Sequence, residues 1–480
     1  LREELESYGV GVHTGVSLSQ IREGEVELED GRRLAADMVL MSVGVKPTLK
    51  LAQEAGLEIG ESGGLVVDER LRTSDPDIFA AGDMVEIYHR VSGRKVRIPL
   101  AGPANRQGRI AAANALGEQK RYVGGQGTSI VKLFDATAGS TGLSLAQARA
   151  AGIVAESVVI HKDNHTSYYP GSKVVSVMLI YEKESGRLLG GQTAGEEGAD
   201  KRLDVLATAV ATGMSVSDLT ELDLAYAPPF GSANDPVNMA AYVAENRVSG
   251  YGPSLTAAEL DDFAETVGER GLVAVDIRDP FSYQRGNLRG SHNVAPTQLV
   301  EAVRELPKEV PLLVISDDGK RGHQAVRALM QDGFEQAYNV SGGYTSIDRY
   351  ARAVGFKYYD VRPIPAEQKS VDRSDAAASE TTEELTPDSG GEGGVAGDGP
   401  LIIDVRTPEE FEYGAVPDAI NIPMDDLTLH AESLGPNDRD ITVYCASGAR
   451  SAYAVRMLQQ MGYTNVRNGG GIMEMMMRKG

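Results

Sequence analysis

The chain has 480 residues, 41% hydrophobic and 24% charged, which is an ordinary globular balance with apolar material for several cores. Its 47 basic and 69 acidic side chains leave a formal charge of −22, which excludes a basic nucleic-acid-reading face and opposes anionic membrane surfaces. One cysteine, Cys445, excludes an internal disulfide framework and any Cys-rich metal centre, so no metal site is expected; no apolar run reaches the ~18 residues of a membrane span.

The first segment, Leu1 to Tyr8, reads as a helix. A chain that opens on Leu rather than Met reads as a piece of a longer reading frame. The run "GEVELEDGRRL" alternates around Asp30–Gly31, a hairpin signal. "ADMVLMSVG" is nearly continuously apolar, the pattern of a strand buried on both faces of an α/β sheet. Further strands are expected in "GLVVDERLRT" and "DIFAAGD", and a helix in "NRQGRIAAANALG". From residue 128 the texture becomes α+β. "SIVKLF", "AESVVIHK" and "KVVSVMLIYEKESGRLLGGQTAG" read as antiparallel strands. "SLAQARAAG" and "GADKRLDVLATAVATGM" read as helices, with Leu203, Leu206 and Val210 at helical spacing.

The C-terminal part is an internal repeat. "VDIRDPFSY" matches "IDVRTPEEF", "HNVAP" matches "INIPM", and "SDDGKRG" matches "CASGARS". Asp276 faces Asp404 and Asn293 faces Asn421 at one offset; Gly319 faces Gly448 and Arg321 faces Arg450 at an offset one residue longer. Each copy reads strand, loop, strand, Gly-containing loop, helix, a small α/β domain. Between them, residues 371–400 hold eight acidic residues, one Arg and six Gly. Such a stretch has little to bury and is expected to be a disordered linker.

The strongest chemical signal is "VYCASGARSAYAVRML". An apolar strand ends at Tyr444, and a loop of Cys445, Ala446, Ser447, Gly448, Ala449 and Arg450 leads into an amphipathic helix. Successive backbone N–H groups of such a loop form an anion-binding nest at a helix N-terminus. Helix dipole and Arg450 then favour the thiolate, the nucleophilic form. Ser451 reads as a helix cap. In the first copy Ser316 stands in the Cys position, with Asp317 and Asp318 in the nest. A serine with no adjacent base is a poor nucleophile, and His323 is seven residues away. This copy reads as catalytically silent, used for packing or docking.

The Cys445 loop, with "LIIDVRTPEEF" and "AVPDAINIP", resembles the rhodanese family of sulfurtransferases. The resemblance implies that Cys445 carries sulfane sulfur as a persulfide and that Asp404 and Arg406 are structural. A second resemblance lies in front. "TSDPDIFAAGD" is similar to the second flavin signature of the pyridine nucleotide–disulfide oxidoreductases, which implies that Asp83, after Gly82, meets the ribityl chain of FAD. "MSVGVKPT" resembles the end of that family's nucleotide domain, with Gly44 and Pro47 at the matching positions. "HTSYYPGSK", "GADKRLDVLATAV" and "LAYAPPFGSANDPVNMAAYVAENR" resemble the dimerisation domain of its coenzyme A disulfide and persulfide reductase branch. By that resemblance Tyr226, and Tyr168 or Tyr169, reach a partner subunit's redox site. The bland reading is that they are interface aromatics, and His165 reads as a satisfied interface histidine.

No G-x-G-x-x-G motif opens a strand–helix unit, and the family's redox cysteine is not among these residues, so the expected flavin site is incomplete. The expectation is therefore an α/β multidomain chain: residues 1–45, the end of an NAD(P)-binding domain; 46–127, half of an FAD-binding domain; 128–252, a dimerisation domain; 253–362, a silent rhodanese-like domain; 363–400, the linker; and 401–480, an active rhodanese domain. The resemblance implies FAD, NAD(P)H and coenzyme A as cofactors or substrate moieties. It also implies a cytoplasmic homodimer acting on small thiols and persulfides, with no nucleic-acid or membrane partner. The alternative is a stand-alone sulfurtransferase or sulfur carrier on a dimerising scaffold.

Overall fold

The computed structural model describes residues 1–268, 271–362, 400–407, 410–411, 414–427, 430, 434–446, 448–472 and 475–476. The linker expected at 363–400 lies, but for Pro400, outside the described residues. The described chain packs as two compact units. One comprises Leu1–Lys162, Val174–Leu224 and Asn234–Val371; the other comprises Asp163–Lys173, Ala225–Ala233 and Asp372–Gly480.

The first unit begins with the short helix Arg2–Ser7 and a three-stranded meander, Leu18–Arg22, Glu25–Leu28 and Arg33–Ala35. Alternation places Val26 and Leu28 inward and buried. The hairpin turn falls at Asp30–Gly31 as expected; Gly31 takes φ +83°, and Asp30 Oδ1 accepts from the Arg32 amide at 3.1 Å.

Two expected strands are not formed. Residues 36–44 form no strand among the described residues, and Met38, Leu40 and Val43 are more than four-fifths exposed. A strand of that pattern needs ladders on its edges and cover on both faces, and the described chain supplies neither. The segment 77–83 makes one bridge, Arg72 to Phe79, before the strand Val85–Tyr88. Local side-chain bonds replace the ladder there: Thr73 Oγ1 donates to the Ile78 carbonyl at 3.0 Å, and Asp75 Oδ1 accepts from the Asp77 amide at 2.9 Å. The helix Ala101–Ala115 follows, close to its expected place.

The middle of the unit is a five-stranded sheet in the order Ser129–Leu133, Ala136–Gly142, Leu188–Gly195, Val174–Glu182, Ala155–Asp163. The helix Ala199–Thr212 lays Leu203, Leu206 and Val210 on it, all buried as their spacing predicts. Gly139 and Gly191 permit this close approach: a Cβ on either would sit 2.4 Å from Leu203 or 2.7 Å from Leu206. A buried ion pair, Arg202 to Asp235 at 2.6 Å, ties this helix to the start of the helix Pro236–Val248.

Both repeat copies fold as parallel sheets. The first runs Ser254–Leu255, Ala337–Val340, Leu312–Ile315, Val273–Asp276, His292–Asn293. The second runs Ala419–Asn421, Leu401–Asp404, Ile441–Cys445, Val466–Gly471. The repeat extends to atoms. Asp276 and Arg278 form a buried ion pair at 2.7 Å, and Asp404 and Arg406 one at 2.6 Å. Asn293 donates to the carbonyls of Asp276 and Arg278, as Asn421 does to those of Asp404 and Arg406. Each arginine also reaches the carbonyl of a glycine eight residues on, Gly286 or Gly414.

The first copy packs on the five-stranded sheet of its own unit. Ser341 Oγ donates to the Val159 carbonyl at 2.7 Å and accepts from its amide at 2.8 Å. His161 Nε2 lies 2.9 Å from Ser346 Oγ, and its Nδ1 lies 2.8 Å from Ser176 Oγ. Arg247 joins Glu156 at 3.0 Å and Glu259 at 2.8 Å.

Candidate active site

Cys445 ends the strand Ile441–Cys445, where β-branched and aromatic residues fill a fully buried parallel strand. Its side chain packs in one apolar core with Ile403, Val443 and Leu458 and is fully buried. That much suits a structural cysteine. The polar surroundings distinguish it. The Gly448 amide donates to Sγ at 3.1 Å, and Ser451 Oγ lies 3.5 Å from Sγ. Gly448, at φ +92°, begins the helix Ala449–Gln460 and turns its amide back toward the sulfur. A thiolate or persulfide at Cys445 thus meets an N–H donor and a helix N-terminus. Ala446 is exposed and Ala449 sits in the helix's first turn, while Ser447 lies outside the described residues.

Two sequence expectations change here. Ser451 is not the helix cap. It lies inside the first turn, where its hydroxyl is 2.7 Å from Asn468 Oδ1 and 3.1 Å from the Gly448 carbonyl, bracing the loop. Arg450 is not a lone cation beside Cys445. Its guanidinium grips Glu410 in a two-pronged pair at 2.7 and 2.8 Å. Glu410 hydrogen-bonding holds the Arg450 pKa above its ordinary range, and the Cys445 charge adds to this. Burial pushes the Glu410 carboxyl up, but Arg450 and the Thr407 amide bring it below its usual range. Sequence reading missed Glu410; its signal was the T-x-x-E spacing from Thr407, a capping box.

The first copy shows the same kind of loop with a serine in the cysteine position. Ser316 is buried, and its Oγ accepts from the amides of Gly319 and Gly322, each at 3.1 Å. The hydroxyl oxygen is thereby held as an acceptor. Arg321 turns to Asp317 within the loop. Gly322 stands where the second copy has Ser451; a Cβ there would lie 2.1 Å from Asn339 Oδ1. His323 is packed beside Tyr251 rather than aimed at Ser316, and burial first, then Arg327, lowers its pKa.

The tyrosines singled out by sequence share a unit with Cys445. Tyr168, Tyr169 and Tyr226 are each between a third and a half exposed. Tyr168 hydrogen-bonds Tyr226 and raises its pKa. The Tyr168 ring centre is 6.3 Å from that of Tyr453, on the helix behind the Cys445 loop. Tyr169 stacks edge-on against His165 at 5.7 Å; His165 Nδ1 lies 3.1 Å from the Thr166 carbonyl, a satisfied histidine.

Asp83 is exposed, and Gly82 before it has φ +91° with its amide donating to Gln107 Oε1 at 2.7 Å. An open carboxylate after a left-handed glycine, just ahead of the strand Val85–Tyr88, fits a hydroxyl-rich cofactor arm. Gly44 ends the run 36–44, which forms no strand, and Pro47 follows it. A Cβ on Gly44 would touch nothing within 4 Å, so no close approach is built there among the described residues. Among the described residues no cluster of His, Cys, Asp and Glu could hold a metal ion, and no helix is long and apolar enough to cross a membrane.

Comparison with known families matches residues 1–108 to the pyridine nucleotide-disulphide oxidoreductases, residues 128–236 to the dimerisation domain of that family, and residues 257–349 and 392–475 to the rhodanese-like domain. The chain thus carries two segments that match the pyridine nucleotide-disulphide oxidoreductase family and two rhodanese-like domains. That family implies FAD and NAD(P)H as cofactors.

Within it the chain is similar to sulfur and coenzyme A reductases. It is 36% identical to the NAD(P)H sulfur oxidoreductase (CoA-dependent) of Pyrococcus furiosus, over 46% of this chain and 49% of that one. It is 29% identical to the coenzyme A disulfide reductase of Staphylococcus epidermidis, over 51% and 55%. Among solved structures, reduced CoADR-RHD of Bacillus anthracis matches with TM-score 0.69 at 36% identity, covering 73% of this chain and 63% of that one. The NAD-dependent persulfide reductase of A. fulgidus matches with TM-score 0.65 at 35% identity, over 71% and 62%. The chain spans about half the length of the curated relatives it matches.

Proposed function

We propose that the chain is part of a flavin- and NAD(P)H-dependent reductase of coenzyme A disulfide, persulfide or polysulfide, with Cys445 as the sulfane-sulfur carrier. The observation that carries this reading is the pairing of the two loops. Sequence similarity to the reductases spans the front of the chain, while one rhodanese copy keeps a cysteine under the Gly448 amide and the other replaces it with Ser316. In the carrier step the Cys445 thiolate attacks the terminal sulfur of a donor R–S–SH. The donor S–S bond breaks, a new S–S bond forms on Cys445, and RS⁻ leaves with the electron pair. The Gly448 amide then faces the charge. Since Cys445 is covered, this requires a small sulfane group or movement of the loop.

The flavin supplies electron transfer when bound; Gly82 and Asp83 would hold its ribityl end. Coenzyme A is the substrate moiety suggested by the names of the relatives. A homodimer is the assembly that the dimerisation domain suggests, and Tyr168 and Tyr226 would face the partner's redox site.

A second reading, a sulfurtransferase that works without flavin, is favoured by one observation: Cys445, Gly448 and Arg450 lie in one unit, with the Gly448 amide on the sulfur. Intact-mass and peptide spectrometry after exposure to a sulfane donor tests the carrier role. Cys445 is expected to gain one sulfur atom, and Cys445→Ala to gain none. Labelling that ignores the substitution ends both readings of the loop. Persulfide-dependent NAD(P)H oxidation by the flavin-loaded protein separates the reductase from the transferase.

A further inference from the structure

Resting on the reading of Cys445 as a sulfane-sulfur carrier, we infer that Glu410 is a positioning and specificity residue: it neutralises the loop cation Arg450, so that the loop prefers donors whose sulfane sulfur carries little charge over the thiosulfate dianion.

The first support is geometric. Arg450 is the only basic residue between Cys445 and Arg450, and both its terminal nitrogens are committed to Glu410 at 2.7 and 2.8 Å. Glu410 is itself fixed: its Oε2 accepts from the Thr407 amide at 3.0 Å, and its own amide donates to Thr407 Oγ1 at 3.3 Å. The pair is about one-third exposed, so it sits at the surface and not in the core. Arg450 and the Thr407 amide outweigh burial and keep Glu410 ionised at neutral pH.

The second support is the internal control that the repeat provides. At the position of Glu410 the first copy has Ser282, which instead donates to Asp279 at 2.7 Å. The equivalent cation, Arg321, pairs with Asp317 inside the loop. The carboxylate that reaches across from the preceding loop accompanies the cysteine and is missing where the cysteine is missing.

The consequence is electrostatic. An anion nest with a free guanidinium favours a dianion; one whose guanidinium is already paired with a carboxylate favours it less and relies more on amide dipoles. Thiosulfate carries two charges next to its sulfane sulfur. A thiol persulfide, including one borne on an uncharged pantetheine arm, carries at most one there. With thiosulfate the Cys445 thiolate takes the sulfane sulfur and sulfite leaves with the electron pair of the broken S–S bond; with R–S–SH the leaving group is RS⁻.

The test is sulfur transfer by the full chain from thiosulfate and from 2-hydroxyethyl persulfide, in the wild type, Glu410→Gln, Glu410→Asp and Cys445→Ala. Glu410→Gln is expected to raise the thiosulfate-to-persulfide ratio of kcat/KM roughly fivefold, with the gain shrinking at high salt. Glu410→Asp, which keeps the charge, is expected to restore the wild-type ratio. If Glu410→Gln depresses both donors equally, or leaves the ratio unchanged while Cys445 remains essential, Glu410 does not set specificity. Undiminished transfer by Cys445→Ala overturns the carrier reading beneath it, a different result from either.

Discussion

Two side chains in equivalent places differ in chemistry. Cys445 Sγ receives the Gly448 amide and lies near the Ser451 hydroxyl, whereas Ser316 Oγ receives the amides of Gly319 and Gly322, with no base beside it among the described residues. Restoring the nucleophile alone is therefore not expected to restore chemistry. Asp317 and Asp318 stay in the nest and oppose an anionic sulfur. In a Cys445→Ala background, Ser316→Cys is expected to leave transfer at background, as measured by sulfite release from thiosulfate. Ser451→Ala is a gentler probe. It removes the hydroxyl that braces Asn468 and lies near the sulfur, and is expected to slow persulfide formation roughly tenfold while leaving the fold intact. A wild-type rate would show that the brace does not act on the sulfur.

The strands that carry the two loops depend on buried ion pairs. Removing one partner leaves a buried charge uncompensated, which costs about 3–5 kcal/mol. Asp404→Ala, which strands Arg406 at 7% exposure, is thus expected to destabilise the second rhodanese domain by that amount in urea unfolding. A loss below about 1 kcal/mol would mean that solvent or another group takes over the arginine. At the seam between the first copy and the five-stranded sheet, His161 titrates alongside the Arg247–Glu259 pair, whose carboxyl burial pushes up but Arg247 holds below its usual range. His161 lies between Ser176 and Ser346 with Arg349 at 3.3 Å; burial first, and Arg349 second, lower its pKa to about 3. The unfolded state binds a proton near pH 6.5 and the folded state does not. Stability is therefore full above pH 6.5 and falls with acidification toward pH 3, by about 1.4 kcal/mol per pH unit at most. His161→Gln is expected to flatten that slope in pH-dependent thermal melts. An unchanged slope would place the acid sensitivity elsewhere.

At the scale of the molecule, the described chain divides into two units, and the division does not follow the order of the sequence. The segments Asp163–Lys173 and Ala225–Ala233, from the dimerisation part, group with the Cys445 domain. Separate cores make separate unfolding transitions the expectation in calorimetry. Asp404→Ala should lower one transition, and Arg247→Met, which breaks the link between Glu156 and Glu259, the other. A single transition that both substitutions move together would show one cooperative body instead.

Local pattern by itself determined much of this protein. The periodicity of Leu203, Leu206 and Val210, the Asp30–Gly31 turn, the repeat that sets Asp276 against Asp404, and the strand–cysteine–glycine–helix signature at Cys445 all depend on residues near one another in the chain. The two strands expected at 36–44 and 77–83 failed for the complementary reason. An apolar run becomes a buried strand only when neighbours pair with it, and the sequence of the run does not contain those neighbours. Tertiary structure alone decided that Arg450 answers to Glu410, forty positions away, and that Ser451 braces Asn468. It also decided that His161 ends between serines of two domains. Charge and hydrogen-bond partners are chosen by proximity in space, and across a parallel sheet that proximity joins residues that the chain keeps far apart.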